Sequence, residues 1–278
     1  MIQSNLHTHT LFCDGKNTPE EMVEAAIGLG FRSLGFSGHG YADCDPGFCG
    51  TPLEAMPAYR DAVRALQAQY EGLIDVFLGI ENDAAYMHPA SDYDYTIGSV
   101  HYIPVGGEYH CADATPQKFE RSLARAFGGD GMKMAKAYFE TVCAFASAPS
   151  RPADIMGHMD LVRRFNAGGR RYFDESSPAY RAMATEALEA VVRSGMFLEV
   201  NTSLIAKGAS DEPYPSVFLL RRAKEMGARV VVNSDAHAAK NLNFGFDRME
   251  ELLSRIGFTE IWELTKAGFE PQPLPDFC

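Results

Sequence analysis

"DVFLGIE", residues 75 to 81, is a short apolar run that ends on an acid. A continuous apolar stretch of this length fits a strand buried on both faces, as in a parallel sheet. The same unit recurs on either side of it. Met1 to Thr8 reads as the first strand, "SLGFS" (33–37) as the second, and "YTIGSVH" (95–101) as the fourth. "DIMGH" (154–158), "FLEVN" (197–201) and "RVVVN" (229–233) read as the fifth to seventh.

Helical patterns fall between these runs. Thr18-Pro19-Glu20-Glu21 carries a capping threonine, a proline at the first helical position and an acid three residues after the cap. That helix runs to about Leu29, and Gly30 ends it. Further helices are expected over 57–70, 116–127, 132–146, 178–194, 215–226 and 247–255. The 116–150 region is an excursion of helices, able to act as a lid, rather than a second domain. From about residue 268 the proline-rich tail is expected to be irregular. About seven strand-then-helix units predict one α/β domain over 1–278 with a parallel sheet. Right-handed crossovers can wrap it into a barrel, and an open doubly wound sheet is the competing arrangement.

The composition is that of a globular domain, with 46% hydrophobic and 22% charged residues. The net charge of -12 disfavours long nucleic acid and anionic membrane surfaces, which call for a positive footprint. No apolar run approaches the ~20 residues needed to span a bilayer. The start, "MIQSNLHTHT", has neither the basic nor the apolar region of a signal peptide. The six cysteines (13, 44, 49, 111, 143 and 278) contain no CxxC pair. A cytoplasmic protein with mostly reduced thiols is expected.

The informative residues stand at the strand ends. His7 and His9 close the first strand, His39 follows the second, and Glu81 closes the third. His101 closes the fourth, His158 and Asp160 the fifth, Glu199 and Asn201 the sixth, and Asp235 and His237 the seventh. In a parallel barrel these ends share one face. Residues i and i+2 of a strand also share a side, roughly 6.5 Å apart. Six of the eight histidines occupy such ends; His88 and His110 do not. One such histidine is ordinarily structural. Six, with Glu81 and Asp235, form a ligand set suited to zinc, iron or manganese. They are too many for one ion and fit two or three, bridged by carboxylates.

"HTHT…CDG", "SGHG", "GIE", "GSVH", "GHMD" and "NSDAH", in this order, resemble the PHP (polymerase and histidinol phosphatase) superfamily, most closely its histidinol-phosphate phosphatases. The resemblance spans residues 1 to about 250 and implies a distorted (β/α)7 TIM-like barrel with a trinuclear centre. It implies that His7, His9, Glu81 and Asp235 hold the first ion, and that Glu81 bridges to a second held by His101 and His158. His39 and His237 would hold the third, with Asp14 where many relatives place a histidine. The loop after the sixth strand, "NTSLIAKG", departs from the Asn-Thr-Ser-Gly of those phosphatases.

The implied reaction is hydrolysis of a small phosphate monoester, L-histidinol phosphate above all, by a hydroxide bridging two ions near Glu81 and Asp235. His237 or Asp160 is expected to help the leaving group, Asp160 equally to orient a ligand histidine. Glu199 is expected to anchor His158 or a lysine. Arg163 is the first phosphate-binding candidate, since guanidinium grips phosphate bidentately, and Lys207 is the second. Two alternatives stand beside this: a PHP phosphoesterase acting on a nucleotide or nucleic-acid end, and a non-catalytic binding module whose ions are structural. The sequence leaves the oligomeric state open.

Overall fold

A computed structural model describes residues 1–44 and 50–277; Cys49 and Cys278 lie outside the described residues. In chain order the elements are β1 (Ser4–Asn5), α1 (Pro19–Gly28), β2 (Ser33–Phe36), α2 (Met56–Gln69), β3 (Asp75–Asp83) and β4 (Tyr95–Ser99). A hairpin follows, β5 (Tyr102–Val105) and β6 (Glu108–Cys111), then α3 (Pro116–Phe127), α4 (Gly131–Ala146) and β7 (Ile155–Met156). The chain continues through α5 (Pro178–Ser194), β8 (Phe197–Asn201), α6 (Ser203–Ala206), α7 (Val217–Glu225), β9 (Val230–Asn233) and α8 (Phe246–Ile256). It finishes with β10 (Glu260–Thr265) and β11 (Gly268–Pro273).

Seven strands form one parallel sheet in the order β1-β2-β3-β4-β7-β8-β9. Its two ends meet, so the sheet is nearly closed into the expected barrel and the open doubly wound alternative is excluded. Asparagine side chains supply much of this closure. Leu6 N–H donates to Asn233 Oδ1 at 2.8 Å, and Asn5 Nδ2 donates to Ser234 Oγ at 2.7 Å. Past them, His9 N–H donates to Ala236 O and Ala236 N–H to His7 O, at 2.9 and 3.1 Å.

The two-residue period sorts the strands. Leu78 and Ile80 of β3, Leu198 and Val200 of β8, and Val230 and Val232 of β9 join the outer core under the helices. Phe77, Tyr95, Ile97, Ile155, Phe197 and Val231 form a separate inner cluster. Two residues further along the same inner faces stand Glu199 and Asn233, and four residues beyond Phe77 stands Glu81. The barrel interior is therefore apolar at its N-terminal end and polar at its C-terminal end.

Two expectations need correction. The first and fifth strands are shorter than read, two residues each. Their polar ends leave the ladder to aim side chains inward. The tail is not irregular: β11 pairs antiparallel with β10, and Leu264, Trp262 and Phe269 pack on the inner cluster, plugging the apolar end. Of the 116–150 helices, α4 belongs to the core. Met134, Ala135, Tyr138 and Val142 of α4 are fully buried in the outer core beside α5.

The inner cluster leaves no room at Gly79. A Cβ there would lie 2.3 Å from Tyr95 Cζ and 2.8 Å from Phe36 O. Gly79→Ala is expected to lower stability by roughly 1–3 kcal/mol, as overpacking does, read as a fall in the urea midpoint at unchanged slope.

Candidate metal centre

Glu81 stands at the middle of the polar end, 1% exposed. Its Oε1 accepts from Ser99 Oγ at 2.7 Å and lies 2.9 Å from His158 Nε2 and 3.4 Å from His101 Nε2. Its Oε2 lies 3.2 Å from His7 Nε2, 3.7 Å from His9 Nε2 and 2.7 Å from His39 Nδ1. One carboxylate thus faces two sets of imidazoles, one with each oxygen.

Asp235 approaches from the seventh strand, with Oδ1 3.1 Å from His9 Nε2 and 3.8 Å from His7 Nε2. Its φ is 50°, the one positive value among the described non-glycine residues. Such a conformation costs ~1–3 kcal/mol and persists where the surroundings enforce it. The turn it makes also carries the Asp235 carbonyl to His237 Nδ1, at 2.9 Å. His237 Nε2 is thereby left facing Asp14 Oδ2, 3.2 Å away.

Asp14 arrives through the turn after His9. Cys13 N–H and Gly15 N–H both donate to Thr10 O at 3.0 Å. A Cβ on Gly15 would sit 2.4 Å from Thr10 N and 2.5 Å from His9 C, so only glycine lets the loop fold this tightly. Asp14 Oδ1 then lies 3.6 Å from His9 Nδ1 and 3.9 Å from His39 Nε2.

All nine residues expected as ligands come together. Ligand atoms within 4.8 Å of one another form four overlapping groups: His7–His9–Asp235, His7–Glu81–His158, His39–Glu81–His101 and His9–Asp14–His39–His237. The donor set fits divalent cations on its own chemistry. Nε2 of His7 and of His9 are buried without a hydrogen-bonded partner, although carboxylate oxygens stand close. Polar atoms buried this way are costly unless something completes them.

The electrostatics agree. Burial works to raise Glu81, yet the charges of His39, His7 and His101 hold its pKa well below the carboxylate range. Asp235 is held well below in the same way by His7 and Lys207. Burial would discharge His7, but Glu199, Glu81 and Asp235 outweigh it and lift its pKa well above the usual value. His9, buried beside His237 and His39, is pushed down to about 3 and stays neutral, as a ligand must.

Outer partners orient the imidazoles, the usual device around a metal. Glu199 Oε1 lies 2.6 Å from His7 Nδ1, and Oε2 accepts the His158 backbone N–H at 2.8 Å. Glu199 therefore anchors His158 as expected, through the backbone, and it holds a second ligand rather than a lysine. Asp83 does the same for His101, with Oδ2 2.6 Å from its N and 3.2 Å from Nδ1. The sequence reading passed over Asp83. Its place two residues beyond Glu81, hence on the same strand face, was the available signal.

The remaining expected residues behave differently. Arg163 is 7% exposed, and its Nε and Nη1 donors are committed. Nε bonds Glu175 Oε2 at 2.7 Å, and Nη1 bonds Asp160 Oδ2 at 3.1 Å and Pro213 O at 3.2 Å. This corrects its reading as the phosphate grip. Among the described residues Asp160 belongs to none of the four ligand groups and bonds no ligand histidine; its Oδ2 also accepts Ser216 N–H at 2.9 Å. Burial dominates there and raises the Asp160 pKa. Arg164, passed over in favour of its neighbour, has a quarter-exposed side chain held at Nη1 by Asp113 Oδ2, 2.9 Å away. The Asp235 charge acts on it as well. Lys207 Nζ lies 4.0 Å from Asp235 Oδ2. His88 and His110, set aside from the sequence, stay outside the cluster. Among the described residues no helix is long and apolar enough to cross a membrane.

Known proteins resemble this chain over most of its length. The "Probable histidinol-phosphatase" of Deinococcus radiodurans is 32% identical over 263 residues, covering 88% of this chain and 91% of that protein. The histidinol-phosphatase of Bacillus subtilis is 26% identical over 268 residues, covering 88% and 97%. Among solved structures, the histidinol phosphate phosphatase of Lactococcus lactis, in complex with zinc, L-histidinol and phosphate, superposes with a TM-score of 0.73 at 21% identity, covering 96% of this chain and 98% of that one. The PHP domain family matches residues 5–203, and the chain belongs to that family.

Proposed function

We propose that this protein is a metal-dependent phosphatase that hydrolyses L-histidinol phosphate to L-histidinol and phosphate. The observation that carries the chemistry is the two-sided placement of Glu81 between imidazole groups. The substrate rests on the likeness to the histidinol-phosphatases over nine-tenths of the chain. His7, His9, Asp235 and Glu81 would hold one ion, and Glu81, His101 and His158 a second. Asp14, His39 and His237 would hold a third, and zinc, iron and manganese all suit these donors. When bound, such ions stabilise charge on a phosphoryl group and lower the pKa of a coordinated water to about 7.

The chain's own residues do the rest. Lys207, 4.0 Å from Asp235, and Arg164, on which the Asp235 charge also acts, are the candidate cations for the phosphate. They bind and orient the phosphate, with Asp113 holding the Arg164 guanidinium. Arg163 instead ties the loop after β7 to Glu175 and to the backbone before α7. Asp160 is fully enclosed and bonded to Arg163 and the Ser216 backbone, which suits a structural part rather than a proton donor. His237 has the most open of the six imidazoles, 26% exposed. With the third position empty, its Nε2 carries the proton for the leaving alkoxide; with that position filled, the same atom is a ligand. The exposure of His237 and Asp14 also argues against purely structural ions, whose sites are closed. A small phosphorylated substrate, rather than long nucleic acid, suits the acidic chain, and the reaction is assigned to the cytoplasm.

Steady-state kinetics on histidinol phosphate, AMP and an aryl phosphate, with metal content measured alongside, tests the substrate. Histidinol phosphate should have the highest kcat/KM; preference for AMP would replace this reading with a nucleotide phosphoesterase. Asp235→Ala is expected to lose metal and activity together, and full activity in that variant would end the mechanism. The two arginines separate cleanly. Arg164→Ala removes a charged contact of ~1.5–3 kcal/mol, so KM should rise roughly 10- to 150-fold at unchanged metal content. Arg163→Ala leaves Asp160 buried without its cation and should cost ~3–5 kcal/mol of stability, measured by denaturant titration, with KM little changed in the folded fraction.

A further inference from the structure

His7 has two ring nitrogens, and only the one without a proton can hold a cation. The choice is made by Glu199, which is 0% exposed. Its Oε1 faces His7 Nδ1 at 2.6 Å and Asn233 Nδ2 at 2.9 Å. Its Oε2 faces the His158 backbone N–H at 2.8 Å and Asn201 Nδ2 at 3.0 Å. The carboxylate therefore meets four groups, three of them fixed as donors. Neither amide can turn over without loss. Asn233 Oδ1 already accepts Leu6 N–H at 2.8 Å, and Asn201 Oδ1 accepts Ser203 N–H at 2.9 Å. The His158 N–H is backbone and is never an acceptor. Only the imidazole can choose its tautomer, and an acceptor beside Nδ1 draws the proton there.

We infer that Glu199 is a positioning residue that fixes His7 with its proton on Nδ1 and its Nε2 lone pair toward the cation, and that only a group accepting at both ends can do so. The inference rests on the metal-binding reading above. Glutamine, nearly the same shape, cannot fill this socket. With its NH2 toward His158 and Asn201, donors face donors. With its NH2 toward His7 and Asn233, Asn233 is again opposed, and His7 is driven to carry its proton on Nε2, where it no longer binds a metal. Asn233 also closes the barrel against Leu6, so one carboxylate joins the seam to the ligand.

The test is titration of the metal-stripped protein with zinc alone, followed by calorimetry. Glu199→Gln is expected to weaken the tightest zinc step ~10- to 100-fold. The double variant E199Q/N233D keeps one negative charge and gives the new amide an acceptor, while His7 Nδ1 still meets a donor. Its thermal midpoint should return toward that of the wild type while zinc binding stays weak. Wild-type zinc affinity in either variant would overturn the inference, since a role of charge or packing alone would be repaired in the double variant. Nitrogen-15 NMR of the zinc-loaded wild type needs no variant to fold: His7 should be protonated on Nδ1, and a proton on Nε2 would overturn the assignment. Absence of zinc binding by the wild type would instead sink the metal reading, and this inference with it.

Discussion

Burying several carboxylates in one place is the constraint that shapes this molecule. Glu81, Glu199 and Asp235 are each at most 9% exposed. The effective desolvation penalty is several kcal/mol per ion, and it is offset only by partners of good geometry. Glu199 is satisfied entirely by protein donors. Glu81 and Asp235 are not; without cations they depend on protons held by neighbouring imidazoles. An anionic mouth balanced by exchangeable protons is a mouth built to take metal ions, and metal affinity in such a site is bound to depend on pH.

The barrel meets this constraint by dividing its interior. The inner faces of β3, β4, β8 and β9 begin with an apolar side chain and end, two or four residues later, with a polar one. The apolar half is packed around Tyr95 and sealed by the β10–β11 hairpin. The polar half cannot be held by packing, so it is held by side-chain hydrogen bonds. Asn5 and Asn233 do what a backbone ladder does elsewhere, and Asn233 also reaches Glu199. Stability and ligand geometry are in this way the same set of bonds at the seam.

How legible all this is from sequence depends on the range of the interaction. Alternation of strand and helix is local, and the order of units and the shared face of their ends follow from it. Eight of the nine ligand candidates are read this way, because a polar residue ending an apolar strand needs no knowledge of its partners; Asp14, in the loop after His9, comes only from the family resemblance. Arg163 was misread for the opposite reason. Its fate is decided by Glu175, 12 residues on, and by the Pro213 carbonyl, 50 residues on. Nothing beside it in the chain announces either one. The closing hairpin was hidden differently. Ile261, Glu263 and Thr265 alternate with Trp262 and Leu264, a strand pattern, but Pro271 and Pro273 mask its partner. A two-stranded ribbon has an edge, and edges tolerate proline.

The cluster is uneven in a way that bears on its chemistry. The groups around His7, Glu81, His101 and His158 are nearly sealed, whereas Asp14 and His237 keep 31% and 26% of their side chains exposed. Buried, pre-oriented donors lose little entropy on taking an ion and hold it tightly. Half-exposed donors on a turn hold an ion less tightly and leave room beside it for water and substrate. The strained backbone of Asp235 lies on the boundary between the two, its carboxylate among the sealed imidazoles and its carbonyl on the open one. Enzymes place strain where geometry must not relax, and here it sets the spacing between the closed side, where the proposed ions would be held, and the open side, where the proposed phosphate would enter.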